Sequence, residues 1–178
     1  GLGNVDAMID PDTVTGFGAQ RSCAMEKVSG VADVVYDSYN IQPGDIILIT
    51  SNSGRNAMPI EMAMRARKEG VYTVALTNVA QSSSQTSRHS SGKRLFECAD
   101  LVIDTNVPTA DACLDIDGIL TGPCSSIVTM FLVNTVASEA IRRVVAHGKR
   151  PYVFQSQNVD GFSNDDIYEH FKGRIKHF

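Results

Sequence analysis

Five small polar residues lie close together in one stretch of this chain: Ser51, Asn52, Ser53, Gly54 and Asn56. Hydroxyl groups, side-chain amides and free backbone N–H groups in such a loop are all hydrogen-bond donors. If a helix follows, its dipole adds positive charge, and the combination binds anions, most often phosphate. The stretch has neither the Lys of a P-loop nor three spaced glycines. It therefore predicts a phosphate site of another kind, and we call residues 51–56 the cradle loop.

The elements on either side are those that such a loop needs. Asp45–Thr50 is an apolar run rich in Ile, which predicts a strand buried on both faces, as in parallel sheets. Asn56 is a good N-cap and Pro59 suits a first turn, so a helix is predicted to begin near Ala57. The alternative is an ordinary strand-to-helix turn, because such turns favour the same residues.

A second polar stretch, Ser82–His89, follows the next predicted strand, and we call it the serine segment. The surrounding residues Gln81–Ser91 have no periodicity and predict a loop. Few apolar anchors offset the entropy of ordering it, so we expect it to be mobile when empty and to close over a ligand. Its serines, Ser83 among them, and Arg88 are candidate ligand contacts. The alternative for Arg88 is that it only keeps the loop soluble.

Proton transfer requires a group that titrates near neutral pH. His89 is the only histidine in a predicted ligand-side loop, and histidine is the residue type whose ordinary pKa suits this role. A surface histidine without a role is the alternative. Glu26 lies beside apolar positions of the first predicted helix and is a second candidate base, although a solvated glutamate would fit the same pattern.

Predicted helices and strands alternate along the chain. The helices cover Gln20–Tyr39, Ala57–Glu69, Lys93–Cys98, Ser125–His147 and Asp165–Ile175, and the strands cover Asp45–Thr50, Val71–Thr77, Leu101–Asp104, Cys113–Ile116 and Tyr152–Gln155. This order predicts an α/β fold, a three-layer αβα sandwich with a mostly parallel sheet. The long apolar helix Ser125–His147 is predicted to be the main buried helix. Ligands bind at the carboxyl ends of such strands, so the cradle loop and the serine segment should be neighbours.

Composition agrees with one compact domain. The chain has 178 residues, an apolar share of 43% and a charged share of 20%. Its formal net charge of -4 argues against nucleic acid as a partner. No apolar stretch approaches the ~20 residues that cross a membrane. Four scattered cysteines favour buried thiols over a disulfide framework or a metal site, so we expect a cytoplasmic protein without metal or cofactor.

The twelve residues Asp45–Asn56 resemble the SIS (sugar isomerase) domain, whose signature loop runs Ser-x-Ser-Gly and a small polar residue after a buried strand. Asn56 stands where the family usually has Thr or Ser. The stretches Ser87–Leu95 and Pro151–Gly161 are similar to a subgroup of uncharacterised SIS proteins, and phosphoheptose isomerase is a more distant likeness. The resemblance implies a flavodoxin-like fold in which the cradle loop, including Asn52, holds a sugar phosphate.

The resemblance also implies other features. Asp111 stands where the subgroup has a Gly-Asp-Ala turn, and the resemblance therefore implies that Asp111 binds sugar hydroxyls. The alternative is that Asp111 only forms a turn. SIS domains usually begin with helices and a strand that ends in a Gly-x-Gly-x-Ser turn. Nothing before Asp45 matches them, so we expect the N-terminal helices and first strand to be missing from this single domain. SIS domains generally pair, which implies a homodimer or homotetramer.

Two classes of function stay open. The first is an enzyme that acts on a phosphorylated sugar or amino sugar, by isomerisation or by elimination as in the N-acetylmuramic acid 6-phosphate etherases. The second is a non-catalytic module that senses a phosphosugar. In both classes the partner is a sugar phosphate, and neither a nucleic acid nor a membrane is expected.

Overall fold

The computed structural model describes residues 1–178, which form seven α-helices and five β-strands. The helices are α1 (Ala19–Met25), α2 (Val31–Asp37), α3 (Ala57–Lys68), α4 (Val79–Ser83), α5 (Leu95–Cys98), α6 (Ser125–Ala146) and α7 (Asp165–Phe171). The strands are β1 (Ile46–Thr50), β2 (Tyr72–Thr77), β3 (Leu101–Asp104), β4 (Leu114–Ile116) and β5 (Ile119–Thr121). Two compact units contain them: residues 9–129, and residues 1–8 with 130–178. We call the first the sheet unit and the second the C-terminal unit.

The sheet unit is built on a parallel sheet in the order β1-β2-β3. Ile46 pairs with Tyr72, and Val74 pairs with Leu101. Helices flank the sheet, with α3 packed against β1 and β2 and α5 packed against β2. The α/β fold class predicted from the sequence is therefore confirmed. Because the strands are parallel, their carboxyl ends meet at one edge, where the cradle loop and the serine segment both begin.

Burial differs between the strands. Thr73–Thr77 of β2 is buried throughout, as a central strand should be. In β1, Ile47 and Ile49 are buried, whereas Ile46 is 70% exposed and Leu48 is 38% exposed. The prediction that β1 is buried on both faces is therefore wrong. The reason is its place at the edge of the sheet, where a neighbouring layer covers only one face.

The first predicted helix is interrupted. Instead of one helix over Gln20–Tyr39, α1 ends at Met25 and α2 begins at Val31. Between them Gly30 has a φ of 88°, a left-handed conformation that a residue with a Cβ rarely adopts. The interruption leaves the Gly30 N–H free to donate to the Glu61 side chain, at 2.8 Å.

The predicted loop Gln81–Ser91 begins with a helix instead. Helix α4 covers Val79–Ser83, and the Asn78 side chain caps it by accepting from the Gln81 amide at 3.0 Å. Ser82 is fully buried within this helix. The prediction of a loop was wrong here because a single helical turn is too short to show periodicity, and its cap lies outside the polar run.

The rest of the chain differs from the prediction in pairing and burial. The predicted strand at Cys113–Ile116 is β4, which pairs with β5 as an antiparallel hairpin and does not join the parallel sheet. Only Val153 of the predicted strand Tyr152–Gln155 pairs, in a single bridge to Leu2. Helix α6 ends before Gly148 as predicted, but none of its residues is buried, so the prediction of a buried main helix is wrong.

Candidate functional site

The cradle loop connects β1 to α3, and its conformation depends on Gly54. The Ser51 hydroxyl accepts from the Gly54 amide at 3.2 Å, which closes a tight turn. Gly54 has a φ of 57°, and a Cβ at this position would lie 2.8 Å from the Thr77 hydroxyl and 3.1 Å from the Ser82 hydroxyl. Real Cβ atoms essentially never show the first distance, and the second is tighter than most real Cβ contacts. Gly54 is therefore required for the loop to pack against the end of β2 and against α4.

Asn52 joins the ends of the strands. Its carbonyl accepts from the Asn78 amide at 3.0 Å and from the Thr77 hydroxyl at 3.2 Å. Its side chain accepts from the Thr105 hydroxyl and donates to the Gln81 side chain, both at 3.4 Å. The sequence predicts that Asn52 binds ligand. The structure places its side chain in contacts that hold the loop in position.

The start of α3 has donors without a partner. Asn56 occupies the N-cap position, but its side chain does not bond the helix, and the Met58 amide donates to the Glu26 carbonyl at 3.0 Å. The amides of Ser53, Arg55 and Asn56 have no acceptor within the protein, and neither does the Ser53 hydroxyl. These groups lie at the positive end of a 12-residue helix. An anion is the ligand that such an arrangement suits.

Two arginines connect the cradle loop to the serine segment. The Arg88 amide donates to the Arg55 carbonyl at 2.8 Å, and the Arg88 guanidinium donates to the Asn56 side chain at 3.1 Å. The Arg55 guanidinium donates to Gln85 at 3.1 Å and to Thr86 at 3.3 Å. The prediction that these two regions are neighbours is confirmed. The contacts also hold the serine segment against the cradle loop, and its opening and closing stay a prediction.

The acceptors of these two arginines are neutral. Neither Arg55 nor Arg88 makes an ion pair, and the Arg55 Nε is buried without a partner. Most other arginines of the chain do pair with carboxylates: Arg21, Arg65, Arg67, Arg94, Arg142 and Arg143. The site therefore has two positive charges that no protein carboxylate compensates.

His89 contacts partners through both ring nitrogens. Its Nε2 lies 3.3 Å from the Glu61 Oε1, and the two side chains are only 10% and 17% exposed. Its Nδ1 lies 2.8 Å from the Ser91 hydroxyl. The other oxygen of Glu61 accepts from the Gly30 amide at 2.8 Å. His89 is thus held between α3 and its own loop and is not a freely exposed side chain.

The remaining predicted residues lie in different surroundings. Glu26 follows α1, and its backbone carbonyl contacts the start of α3, while its carboxylate makes no hydrogen bond or ion pair. Ser83 ends α4, and its carbonyl accepts from the Arg94 guanidinium at 3.2 Å. It lines an open depression of about 500 Å³ beside the serine segment, which Arg94 also lines.

Asp111 lies at the start of α6. One of its carboxylate oxygens accepts from the amides of Cys124 and Ser125, at 2.9 and 2.6 Å, and the other accepts from the Ser125 hydroxyl at 2.6 Å. Burial alone would raise the pKa of Asp111, but the hydrogen bonds from Ser125 and Cys124 outweigh burial and lower this pKa. In the structure Asp111 caps the start of α6, a contact that the sequence did not predict, and its binding of sugar hydroxyls stays a prediction.

Sequence reasoning missed Glu61 and Arg55. Glu61 lies five positions after the predicted cap Asn56, on a helix that leaves the ligand edge, and that position was a usable signal. Arg55 stands inside the recognised loop motif, so its charge was visible. The sequence could not show that Glu61 and Arg55 each lack an ion pair with the oppositely charged residue nearest to them along the chain.

Comparisons with known proteins identify the domain that contains the cradle loop. A family model described as the SIS domain matches residues 1–78, which include the cradle loop and α3.

None of the helices is long and apolar enough to span a membrane.

Relatives cover most of the chain. A UPF0309 protein of Halalkalibacterium halodurans is 35% identical over 175 residues, covering 96% of this chain and 72% of the relative. One from Caldanaerobacter subterraneus subsp. tengcongensis is 33% identical over 183 residues, covering 99% and 74%. One from Streptomyces coelicolor is 41% identical over 161 residues, covering 88% and 64%. The chain therefore belongs to the UPF0309 family of SIS-domain proteins.

Proposed function

We propose that this protein binds a phosphorylated sugar or amino sugar at the cradle loop and acts on it by proton transfer, in an isomerisation or an elimination. One observation carries the proposal: the start of α3 has unpartnered donors in a chain that contains an SIS domain. Phosphosugar-related binding is the role that this domain suggests at the level of the family. The reaction is the further step that we propose.

The phosphate is assigned to the cradle loop. The Ser53 hydroxyl and the amides of Ser53, Arg55 and Asn56 supply neutral donors, and the α3 dipole adds partial positive charge. The guanidinium groups of Arg55 and Arg88 supply full charges close to the loop, and both now donate to neutral acceptors that a phosphate can replace. Two charges of this kind match a phosphate dianion.

The proton-transfer groups are His89 and Glu26. Moving a proton between neighbouring carbons needs a base beside the sugar and an acid to protonate the developing oxyanion. His89 adjoins Arg88, which contacts the cradle loop, and Glu26 lies against the first turn of α3. The sugar hydroxyl groups are assigned to Ser83 and Asp111, as the sequence predicts. The hydrogen bonds of Asp111 to α6 make it the weaker of these two.

Calorimetry of Ser53→Ala tests the phosphate site, with inorganic phosphate and then a panel of sugar phosphates as ligands. A hydrogen bond to a charged group contributes ~1.5–3 kcal/mol, so the variant should bind roughly ten- to a hundredfold more weakly. Ser126→Ala is the matched control, because Ser126 is exposed on α6 and its side chain makes no hydrogen bond. Equal affinity of Ser53→Ala and the parent protein would remove the cradle loop from the site.

Hydrogen–deuterium exchange at the sugar carbons tests the reaction. The panel is incubated in D2O with the protein, and NMR follows loss of the proton next to the carbonyl. We expect exchange with one class of sugar phosphate, reduced about a hundredfold or more in His89→Gln with little change in binding. Tight binding without exchange or product formation would overturn the proposed reaction in favour of a phosphosugar-sensing module.

We also propose that the protein pairs with a second copy of itself. Three large apolar side chains of α6 face solvent in one chain: Ile127 is 65% exposed, Met130 58% and Phe131 69%. Apolar surface of this extent on a soluble chain marks an interaction site, and the resemblance to SIS domains suggests self-association. Sedimentation should show a dimer or tetramer, and Phe131→Glu should shift it toward monomer. A monomer at micromolar concentration in the parent protein would contradict this.

A further inference from the structure

We infer that Glu61 is a positioning residue that holds His89 in the tautomer with its proton on Nε2, so that Nδ1 is the atom that exchanges a proton with the sugar. The inference rests on the proposed function, because it assigns the orientation of the group that transfers the proton. The sequence did not identify Glu61 as a candidate site residue. It is the structure that brings it against His89, 28 positions further along the chain.

The tautomer follows from the partners of the two ring nitrogens. The His89 Nε2 lies 3.3 Å from the Glu61 Oε1, and a carboxylate, which can only accept hydrogen bonds, favours a proton on this nitrogen. The Ser91 amide only donates, and it points to the Nδ1 at 3.3 Å, so this nitrogen must offer its lone pair. The Ser91 contact therefore places the proton of a neutral His89 on Nε2, where the Glu61 carboxylate faces it.

Glu61 is well placed to keep this arrangement. Its Oε2 accepts from the Gly30 amide, at 2.8 Å, so the oxygen that does not face His89 is also held. The side chains of Glu61 and His89 are only 17% and 10% exposed, so solvent screens their interaction less than it would at the surface. Unrelated enzymes also use a carboxylate to orient an imidazole through one nitrogen while the other nitrogen exchanges protons.

The distance along α3 suits a phosphosugar. Glu61 lies five residues after Asn56, which corresponds to ~7.5 Å along a helix at 1.5 Å per residue. A phosphate at the start of α3 and a hexose extending along it would bring the far carbons of the sugar near His89. The Ser91 hydroxyl, 2.8 Å from the Nδ1, shows that a hydroxyl fits at this nitrogen. A sugar hydroxyl would take the same place.

The first test reads the tautomer and needs no substrate. The protein is labelled with 15N-histidine, and NMR is recorded at a pH where the imidazoles are neutral. The chain has four histidines, and loss of one signal in His89→Gln identifies the residue. We expect the His89 proton on Nε2. A proton on Nδ1 would overturn the inference whatever the activity of the protein.

The second test is a double-mutant cycle on the exchange rate of whichever sugar phosphate reacts. Glu61→Gln keeps the shape but loses the charge, and we expect it to lower the rate about tenfold. If Glu61 acts only through His89, the double variant Glu61→Gln with His89→Gln should be no slower than His89→Gln alone. Additive losses would mean a separate, structural role and would overturn the inference.

Glu69→Gln is the matched control. Glu69 ends the same helix and pairs with Arg65, so its loss perturbs α3 without touching His89. We expect both the exchange rate and the His89 tautomer to match those of the parent protein. If no sugar phosphate reacts, the proposed reaction is overturned. The role of Glu61 is then decided by whether Glu61→Gln changes the His89 tautomer, and an unchanged tautomer would overturn the inference.

Discussion

The starts of helices α3 and α6 show two solutions to the same problem. Each helix begins with backbone amides that its own turns cannot satisfy. At α6 the carboxylate of Asp111 accepts from the amides of Cys124 and Ser125, so a protein anion occupies the position. At α3 the capping residue Asn56 turns its side chain to Arg88 and leaves amides without an acceptor. A helix start therefore indicates a ligand site when its backbone amides have no acceptor within the protein, as at α3, and not when a side chain already accepts from them, as at α6.

The two helices also differ in burial. Helix α3 buries Ala57, Ile60, Met62, Ala63 and Ala66, whereas the longer and more apolar α6 buries none of its residues. Within the sheet unit, α3 packs on two strands, and this packing holds the start of the helix at the edge of the sheet where the strands end. Four substitutions test this difference between α3 and α6.

The largest effect is expected from truncating the buried face of α3. Ile60 is fully buried, so Ile60→Ala should lower the free energy of unfolding by ~2–5 kcal/mol. Phe131→Ala on α6 removes a larger side chain that is 69% exposed, and it should cost about 0.5 kcal/mol or less in dilute protein. Urea unfolding measures both. A comparable loss for Phe131→Ala would mean that α6 is covered in solution.

The next effect concerns the turn that aims the cradle loop. Gly54→Ala forces a Cβ to within 2.8 Å of the Thr77 hydroxyl and also strains a positive φ. Strain of this kind costs ~1–3 kcal/mol, and the contact adds to it. Gly92→Ala is the control, since Gly92 has a φ of 72° with open space around it. Thermal unfolding should show a clearly larger loss of stability for Gly54→Ala than for Gly92→Ala. Equal losses of stability would contradict the close packing of Gly54 against Thr77.

A smaller effect is expected when α3 is given the arrangement of α6. Asn56→Asp places a carboxylate at the open helix start, next to the Arg88 guanidinium. It should weaken binding of inorganic phosphate about tenfold or more, because the new charge repels phosphate and competes for the same donors. Calorimetry measures this. Asn134→Asp makes the same charge change on exposed α6, and equal weakening there would show that only net charge matters.

The smallest effect is the removal of the α6 cap. Asp111→Ala should lower the free energy of unfolding by ~1 kcal/mol at neutral pH, the usual cost of losing a cap. The folded state lowers the pKa of this carboxyl, so its stabilisation is present above the ordinary value of ~4 and is lost as pH falls through the lowered pKa. The difference from the parent protein should therefore shrink in acid. A constant difference across pH would contradict the cap.

Sequence alone determined the local features of this protein. The strand before the cradle loop, the start of α3 at Ala57 and the end of α6 before Gly148 all follow from apolar runs, caps and breakers within a few residues. The order of strands and helices was enough to predict a parallel sheet, and hence that the cradle loop and the serine segment meet. Local propensity and chain topology contain this information, so no tertiary contact was needed.

Tertiary structure alone decided burial and pairing. The apolar pattern of α6 predicts a helix correctly but not whether another layer covers it. The same holds for the exposed face of β1 at the edge of the sheet. Asp111 was visible as a candidate residue, but whether its carboxylate meets a ligand or the start of α6 depends on where the chain returns 13 positions later.

The candidate site divides in the same way. The cradle loop and His89 could be named from residue type and position, since their chemistry is local. The contacts of Gly54 with Thr77 and Ser82, and of His89 with Glu61, join residues more than 20 positions apart. Such pairs form only when the strands and helices pack, because packing sets which side chains share a buried volume. The candidate chemical groups could therefore be identified from the sequence, whereas which of them are in contact depends on the tertiary structure.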